Sequence, residues 1–403
     1  MQSPWVAQFS LKGYNDLVAP MIKKVFPILA LCVFSSTLGI GIVSPLLPLF
    51  IRDMGATGIW LGIIVASYFI SNSVFVPIAG RLSDRKGRKL FLGIGLIAYS
   101  VISLGYILAT DVSHLALVRL LQGVAGAVTI PIAMAYLGDL SPEGEEGKWQ
   151  GYATAAFFSG FGFGPLMGGV LTEHFGMTVP FLSMSGLNLL AGLIALIFLP
   201  ESTHRLTSRD SQRLSFKEMS TSGIIKGLFS FRLVQAVGRG GIATFLPIFA
   251  SMIGLSTSLI GILITINILS VTLVTPLGGI IADRFNRRTL IIFSSFLFTI
   301  LLVAIPHTNN FGQLLVVLLI QGLSASLSMP AAAALTVEEG RKYGMGSTMS
   351  IFFLAMSVGM AVGPIISGGI ADLLNVDSVF YFGAIVGLIG TGLFIWFTRQ
   401  YHG

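Results

Sequence analysis

Gly80-Arg81-Leu82-Ser83-Asp84-Arg85-Lys86-Gly87-Arg88-Lys89 lies between two long apolar runs. In phase with it, 199 positions on, Gly279-Ile280-Ile281-Ala282-Asp283-Arg284-Phe285-Asn286-Arg287-Arg288 lies between two more. In such a stretch Gly80 lets helices pack closely and Gly87 permits a tight turn. Asp84 can pair with a cation or sit at a helix N-terminus, and the basic residues favour the cytoplasmic side of a membrane. The same offset carries Gly39 to Gly238, Pro48 to Pro247, Gly62 to Gly261, Pro77 to Pro276, Gln122-Gly123 to Gln321-Gly322, Asp139 to Glu338, Gly164-Pro165 to Gly363-Pro364 and Glu173 to Asp372. The chain is therefore a tandem repeat.

The runs around these loops are long enough to cross a bilayer. Of 403 residues, 54% are hydrophobic and 10% charged, against about 25% charged in ordinary soluble domains. A hydrocarbon core about 30 Å thick takes about 20 apolar helical residues. On that criterion twelve spans are expected: 26–50, 58–80, 90–109, 114–137, 151–172, 178–199, 231–252, 258–282, 289–305, 313–336, 347–371 and 378–398. These runs are too long, and alternate too little, for barrel strands.

Lys23, Lys24, the Arg81 to Lys89 cluster, Lys148, Arg205 to Lys226, Arg284 to Arg288, Arg341, Lys342 and Arg399 all fall on one side, and the opposite loops offer Arg52 alone. This asymmetry predicts cytoplasmic N- and C-termini. It also assigns the net charge of +7 to topology, with no nucleic-acid partner. The chain divides into an N-terminal segment 1–25, a six-helix half 26–200, a polar cytoplasmic linker 201–222 and a second half 223–403. No cleavable leader is expected, because 1–24 is mixed polar and aromatic. An even number of spans per half makes the copies parallel repeats about an axis along the membrane normal, a design that encloses a midplane site.

With the repeat in view, the Gly80 to Lys89 loop resembles the signature loop of the major facilitator superfamily, and the Gly279 to Arg288 stretch resembles its degenerate second copy. The resemblance runs from about Phe26 to Phe397. It implies an all-α membrane fold of twelve helices in two six-helix repeats, and a conformational latch at Gly80, Asp84, Arg85, Gly87, Arg88, Asp283 and Arg284. In that family the residue matching Asp84 contacts the cytoplasmic end of the eleventh helix, here near Gly344 to Thr348, and holds the outward-facing state. Asn286 departs from the pattern where the first copy has Gly87, which implies a weaker second latch. Leu117 to Gly126 is similar to the fourth-helix motif, and implies a part in proton coupling for Arg119, with Gln122 beside it. Gly160, Gly164, Pro165, Gly168 and Gly169 resemble the fifth-helix antiporter motif, the mark of exporters. Read physically, Gly160, Gly164 and Gly168 lay three bare surfaces on one helix face, and tight packing alone accounts for them.

An arginine inside hydrocarbon costs ~2.5–3.5 kcal/mol on translocon scales and normally faces a cavity or a partner. Arg119 and Arg239 are such residues. Arg232, Gln235 and Arg239, spaced i, i+3, i+7, share one face, and Arg232 is expected to snorkel to the interface. No Asp or Glu lies deep in any span. Two substrate readings follow. A neutral or weakly charged hydrophobic drug would be held by Phe34, Asn72, Phe157, Phe158, Asn188, Phe245, Asn267 and Phe352, each of which is equally accounted for by packing. Alternatively, Arg119 and Arg239 would attract an anionic or zwitterionic amphiphile, a metabolite or a lipid.

No phosphate-cradling loop, nucleophile with its base or metal-ligand spacing is present, so the chain is not read as an enzyme and no cofactor or metal is expected. A single cysteine, Cys32, excludes an internal disulfide. The expectation is a proton-coupled multidrug-type exporter, monomeric, in a prokaryotic plasma membrane, with a small molecule, protons and the lipid bilayer as its partners. A transport-inactive sensor is the remaining class.

Overall fold

A computed structural model describes residues 4–141, 145–201, 221–343 and 345–399. Among them are twelve helices long and apolar enough to cross a membrane. They are α1 (Pro4–Asp53), α2 (Gly58–Lys86), α3 (Arg88–Leu108), α4 (Val112–Leu140), α5 (Glu146–Phe175), α6 (Thr178–Phe198), α7 (Gly223–Met252), α8 (Thr257–Arg284), α9 (Arg287–Ala304), α10 (Phe311–Tyr343), α11 (Met345–Leu373) and α12 (Val376–Phe397). All twelve expected spans are present, several with helical extensions at the end bearing the arginine-rich loops, here the basic end. The first segment is helical from Pro4 onward, and most of the expected linker lies outside the described residues.

Short connections and side-chain caps stop the helices where the sequence turns polar. Asp111, Ser222, Ser256, Asn286 and Asn375 each accept from a backbone amide in the first turn of the helix they precede. Gly87, with φ of 97°, makes the α2–α3 turn in a region closed to residues with a Cβ. Its counterpart Asn286, with φ of −59°, needs no such freedom and caps α9 through Thr289.

Packing repeats with the sequence. In the first half α1 lies on α5, α2 on α4, and α3 on α6; in the second, α7 lies on α11, α8 on α10, and α9 on α12. The halves meet along two crossed seams, α2 with α11 and α5 with α8, and where α1 passes α7. Ile70, Val74, Val101, Ile197, Leu273 and Ile300 project outward from the bundle, an apolar surface suited to lipid.

The cores differ between the two ends. Towards the acidic end, which carries Asp53, Asp111, Glu173 and Asp372, Phe245 and Ile248 of α7 are buried among first-half residues such as Leu38, Ile42 and Met184. Leu49 of α1 is buried in turn among Ile242, Leu246, Leu302 and Phe380 of the second half. Towards the basic end each half has a core of its own, one around Leu92, Tyr136 and Trp149, the other around Phe231, Leu335 and Phe394.

Candidate transport site

The acidic end is tied across the halves by two carboxylates in equivalent positions. Asp372, at the end of α11, accepts from the amides of Gly58 (2.5 Å) and Ile59 (2.9 Å) at the start of α2. Glu173, at the end of α5, accepts from the amide of Ser258 (2.9 Å) at the start of α8. Each half thus caps an orphan helix N-terminus of the other. Arg52 donates to Ser251 (2.5 Å) and Thr257 donates to the Gly169 carbonyl (3.3 Å) in the same layer. Deeper in, the amide of Leu166, just after Pro165, donates to the Thr265 hydroxyl (3.0 Å) on α8.

Glycine spacing makes these seams possible. A Cβ on Gly62 would stand 2.7 Å from Ile365 Cα, and one on Gly261 would stand 3.3 Å from Leu166 Cα. Within the first half, the expected glycine face of α5 packs on α1. A Cβ on Gly164 would stand 2.5 Å from Gly41 Cα, one on Gly168 2.9 Å from the Ile42 carbonyl, and Gly160 abuts Phe34 and Thr37. Gly169 faces Thr257 and so belongs to the inter-half seam.

At the basic end the arrangement is different. Gly80 and Gly279 have nothing within 4 Å of where a Cβ would stand. Asp84 pairs with Arg88 (2.9 Å), within its own half. Arg88 also forms a bidentate ion pair with Asp139, both side chains buried, which ties α3 to α4. The same pairing recurs in the second half as Arg287 with Glu338 (3.2 Å), there half-exposed. Gly87 abuts Glu201, which accepts from the Lys89 amide (3.3 Å). Arg85 and Arg284 are exposed in the last turns of α2 and α8, and Asp283 lies beside Arg284 at the end of α8.

Between the ends, Arg119 of α4 is buried with its guanidinium 4.6 Å over the ring of Tyr68. Tyr106 donates to Gln122 (2.7 Å), Gln122 to Ser103 (3.4 Å), and Tyr106 stacks on Phe181 at 4.7 Å. Arg119 Nε and Nη1 and the Tyr99 hydroxyl have no hydrogen-bond partner. No carboxylate joins this cluster among the described residues. Sequence reading found Arg119 and Gln122 and missed the tyrosines, although Tyr99, Ser103 and Tyr106 recur at i, i+4, i+7 on one face of α3.

The α7 stripe is assembled as its spacing implied, with one difference. Because α7 begins at Gly223, Arg232 sits more than two turns inside the helix and is 7% exposed, so it does not snorkel. Its Nη1 donates to Gln235 (3.3 Å) and approaches Met329 Sδ (3.1 Å), its Nη2 approaches Met356 Sδ (2.8 Å), and its guanidinium lies 4.8 Å over the Phe352 ring. Arg239, half-buried two turns further on, has no hydrogen-bond or ion-pair partner among the described residues.

The other expected cavity residues fall into two groups. Phe157 and Phe158 form an edge-to-face pair at 5.3 Å, half-buried like Phe34 and Phe352. Asn72 donates to the Gly123 carbonyl (3.1 Å) and Asn267 to the Leu318 carbonyl (2.7 Å), ties between neighbouring helices of one half. Asn188 is fully buried against Met184 and Ser35, and Phe245 is fully buried in the shared acidic-end core.

Comparison with known proteins agrees with this architecture. The family model described as Major Facilitator Superfamily matches residues 29–256 and 228–403. Multidrug resistance protein 2 of Bacillus subtilis is 30% identical over 381 residues, covering 92% of this chain and 94% of the relative. Quinolone resistance protein NorA of Staphylococcus aureus is 26% identical over 380 residues, covering 92% and 95%. The crystal structure of a bacterial homolog to the human lysosomal transporter Spinster, in an inward-facing and occupied conformation, superposes with a TM-score of 0.80 at 15% identity, covering 95% of this chain and 98% of that one. With twelve spans, a duplicated signature loop and these relatives, the chain belongs to the Major Facilitator Superfamily and is a multi-pass plasma-membrane transporter, not an enzyme.

Proposed function

We propose that the protein is a proton-coupled exporter of hydrophobic or amphipathic small molecules, working by alternating access with its basic end in the cytoplasm. The observation that carries this reading is the contrast between the ends: one core shared by both halves at the acidic end, and a separate core in each half at the basic end. Such an arrangement opens the interior to the cytoplasm. The matches to multidrug and quinolone resistance proteins support efflux as the direction, and the Gly160 to Gly169 pattern supports exchange against protons.

In this cycle the substrate enters from the cytoplasmic side and reaches the aromatic and cationic groups between the halves. The halves then rock about the α2–α11 and α5–α8 seams. Closure of the basic ends covers Gly80 and Gly279, and frees Asp84 from Arg88 to meet α11. Opening the acidic end costs the two crossed caps and the exchanged apolar contacts of Leu49, Phe245 and Ile248. Arg119, buried without a counter-ion, is the group on which binding of substrate and of protons is coupled.

The test is proton movement in proteoliposomes carrying a lumenal pH dye, challenged with neutral, cationic and anionic amphiphiles under an imposed gradient. Wild type is expected to move protons on addition of substrate, and Arg119→Leu, the residue of the second copy, to bind substrate with no proton signal. Substrate flux with no proton movement in wild type overturns the coupling, and no flux of any amphiphile overturns the transport reading.

A further inference from the structure

Arg119 is one member of a set that the repeat changes together. Tyr68, Tyr99, Ser103, Tyr106 and Arg119 of the first half stand opposite Asn267, Phe298, Leu302, Ile305 and Leu318 of the second, while Gln122 keeps its counterpart Gln321. The second copy shows what packing alone asks of this register. There Asn267 donates to the Leu318 carbonyl (2.7 Å), Leu302 and Ile305 are fully buried in an apolar core, and Gln321 Nε2 has no partner. In the first copy Tyr106 and Ser103 hold Gln122, and a cation lies over the Tyr68 ring.

A buried charge is expensive unless it is paired and hydrogen-bonded. A carboxylate beside Arg119 would pair with it and cancel its field. An aromatic face compensates a desolvated guanidinium through its quadrupole and brings no charge of its own. Tyr68 meets Arg119 in this way, at 4.6 Å, with both side chains buried. The α2–α4 contact fixes the ring in place: Gly123 abuts the Tyr68 carbonyl and the Ser71 hydroxyl, and Asn72 donates to the Gly123 carbonyl (3.1 Å). Both helices belong to one half, so ring and guanidinium keep their separation when the halves rock.

From this geometry we infer that Tyr68 is the positioning residue of Arg119. Its ring holds the guanidinium buried, charged and without a counter-ion, so that the field of Arg119 reaches the interior uncancelled and acts there on a bound proton or a charged substrate. This rests on the proton-coupled transport reading and adds to it the residue that keeps the coupling group in place. The ring carries the effect, and the Tyr68 hydroxyl has no part in it.

A double-mutant cycle in the full-length protein separates ring from cation. Its sides are Tyr68→Asn and Arg119→Leu, since Asn and Leu are the pair that packs at this register in the second half. Proton movement is read with a lumenal dye in proteoliposomes challenged with dodecyltrimethylammonium and with dodecanol, and unfolding temperature is read in detergent. Tyr68→Asn is expected to lower the proton signal about tenfold or more, the scale of one desolvated cation–π contact, and the unfolding temperature by about 2–4 °C. In the Arg119→Leu background the same substitution is expected to shift neither further. Tyr68→Phe keeps the ring and is expected to recover the signal to within about threefold of wild type. Tyr68→Phe and the double variant leave no cation without its ring, so they test the inference even where Tyr68→Asn alone does not fold. A Tyr68→Asn loss of unfolding temperature that is the same with and without Arg119, or a Tyr68→Phe loss of signal as deep as that of Tyr68→Asn, overturns the inference. A wild type that moves no proton with either probe overturns the coupling reading instead, and the ring–cation contact then stands or falls on the unfolding temperatures alone.

Discussion

The two halves agree at their ends and differ in their middles. At the ends, Arg88 with Asp139 recurs as Arg287 with Glu338, and the Glu173 cap recurs as the Asp372 cap, each at the same offset. In the middle, Arg119 over Tyr68 is replaced by Leu318 beside Asn267, where an amide donates to a carbonyl. The α7 residues Arg232, Gln235 and Arg239 correspond to Val33, Ser36 and Ile40 of α1. Gates must work as a pair, since closing one opens the other, so both copies keep the gate chemistry. The interior binds one unsymmetrical cargo and is free to place different charges in each half.

The sharpest way to probe the duplicated ends is to break the same ion pair in each. Asp139→Ala leaves the buried Arg88 with the exposed Asp84 as its remaining carboxylate and is expected to cost about 1.5–3 kcal/mol, the scale of a charged hydrogen bond. Glu338→Ala leaves a half-exposed arginine that water can solvate, and is expected to cost under about 1 kcal/mol. Thermal unfolding of both variants in detergent measures the difference, and equal losses would show that burial does not distinguish the two ties.

How far this comparison was legible in the sequence depends on the range of the interaction. Hydropathy and the constant offset give the twelve spans and the parallel halves, because both are properties of local composition. The offset also matches Asp139 to Glu338 and Arg88 to Arg287, yet nothing local says that these residues meet across 51 positions. The crossed caps were hidden for a similar reason: Glu173 and Asp372 were readable as residues at span ends, but their partners are backbone amides of the opposite half. An apolar run counted from 231 puts Arg232 at an interface, whereas α7 starts at Gly223 and carries more than two turns ahead of it, with Ile225, Leu228 and Phe231 buried. Asn72 and Asn267, polar in apolar runs, read equally well as cavity groups or as ties between helices, and the spacing alone could not choose.

A smaller effect is expected at the seams, where one copy has a hydrogen-bonding threonine and the other an alanine. Thr265 accepts the Leu166 amide across the halves, and Ala66 stands at its counterpart position. Thr265→Ala is expected to weaken the α5–α8 seam by about 1 kcal/mol and raise the acidic-end-open population. Gly62→Ala is expected to act more strongly on the α2–α11 seam, by about 1–3 kcal/mol of overpacking. Distances between spin labels at the acidic ends of α2 and α11, and of α5 and α8, read both; a Thr265→Ala distribution identical to wild type would remove the asymmetry.

The smallest difference is one of pH. Asp111 caps α4 through the Ser113 hydroxyl (2.7 Å) and amide (2.8 Å), which hold its carboxyl below the usual carboxylate range. Asn310, its counterpart, caps α10 through the Gln313 amide (3.0 Å) and does not titrate. A carboxyl depressed in the folded state stabilises above its unfolded value of about 3.9, and loses that contribution as pH falls through the folded value. Asp111→Asn is therefore expected to flatten the acid limb of the unfolding curve slightly, and Asn310→Asp to steepen it. Unfolding temperatures measured from pH 6 down to about 3 decide, and an unchanged slope in both would discount the cap.

The position of Gly62 on α2 has a mechanical consequence. It lies one turn from the acidic end of a 29-residue helix, so about 36 Å of rod extends from that contact to Lys86. A tilt of about 10° around Gly62 swings Lys86 through about 6 Å at this rise per residue, while the first turn of the helix shifts by about 1 Å. The glycine contact is a fulcrum set near one end of a lever: a movement on the scale of one hydrogen bond at the short arm becomes, at the long arm, a displacement wide enough to admit or exclude a molecule.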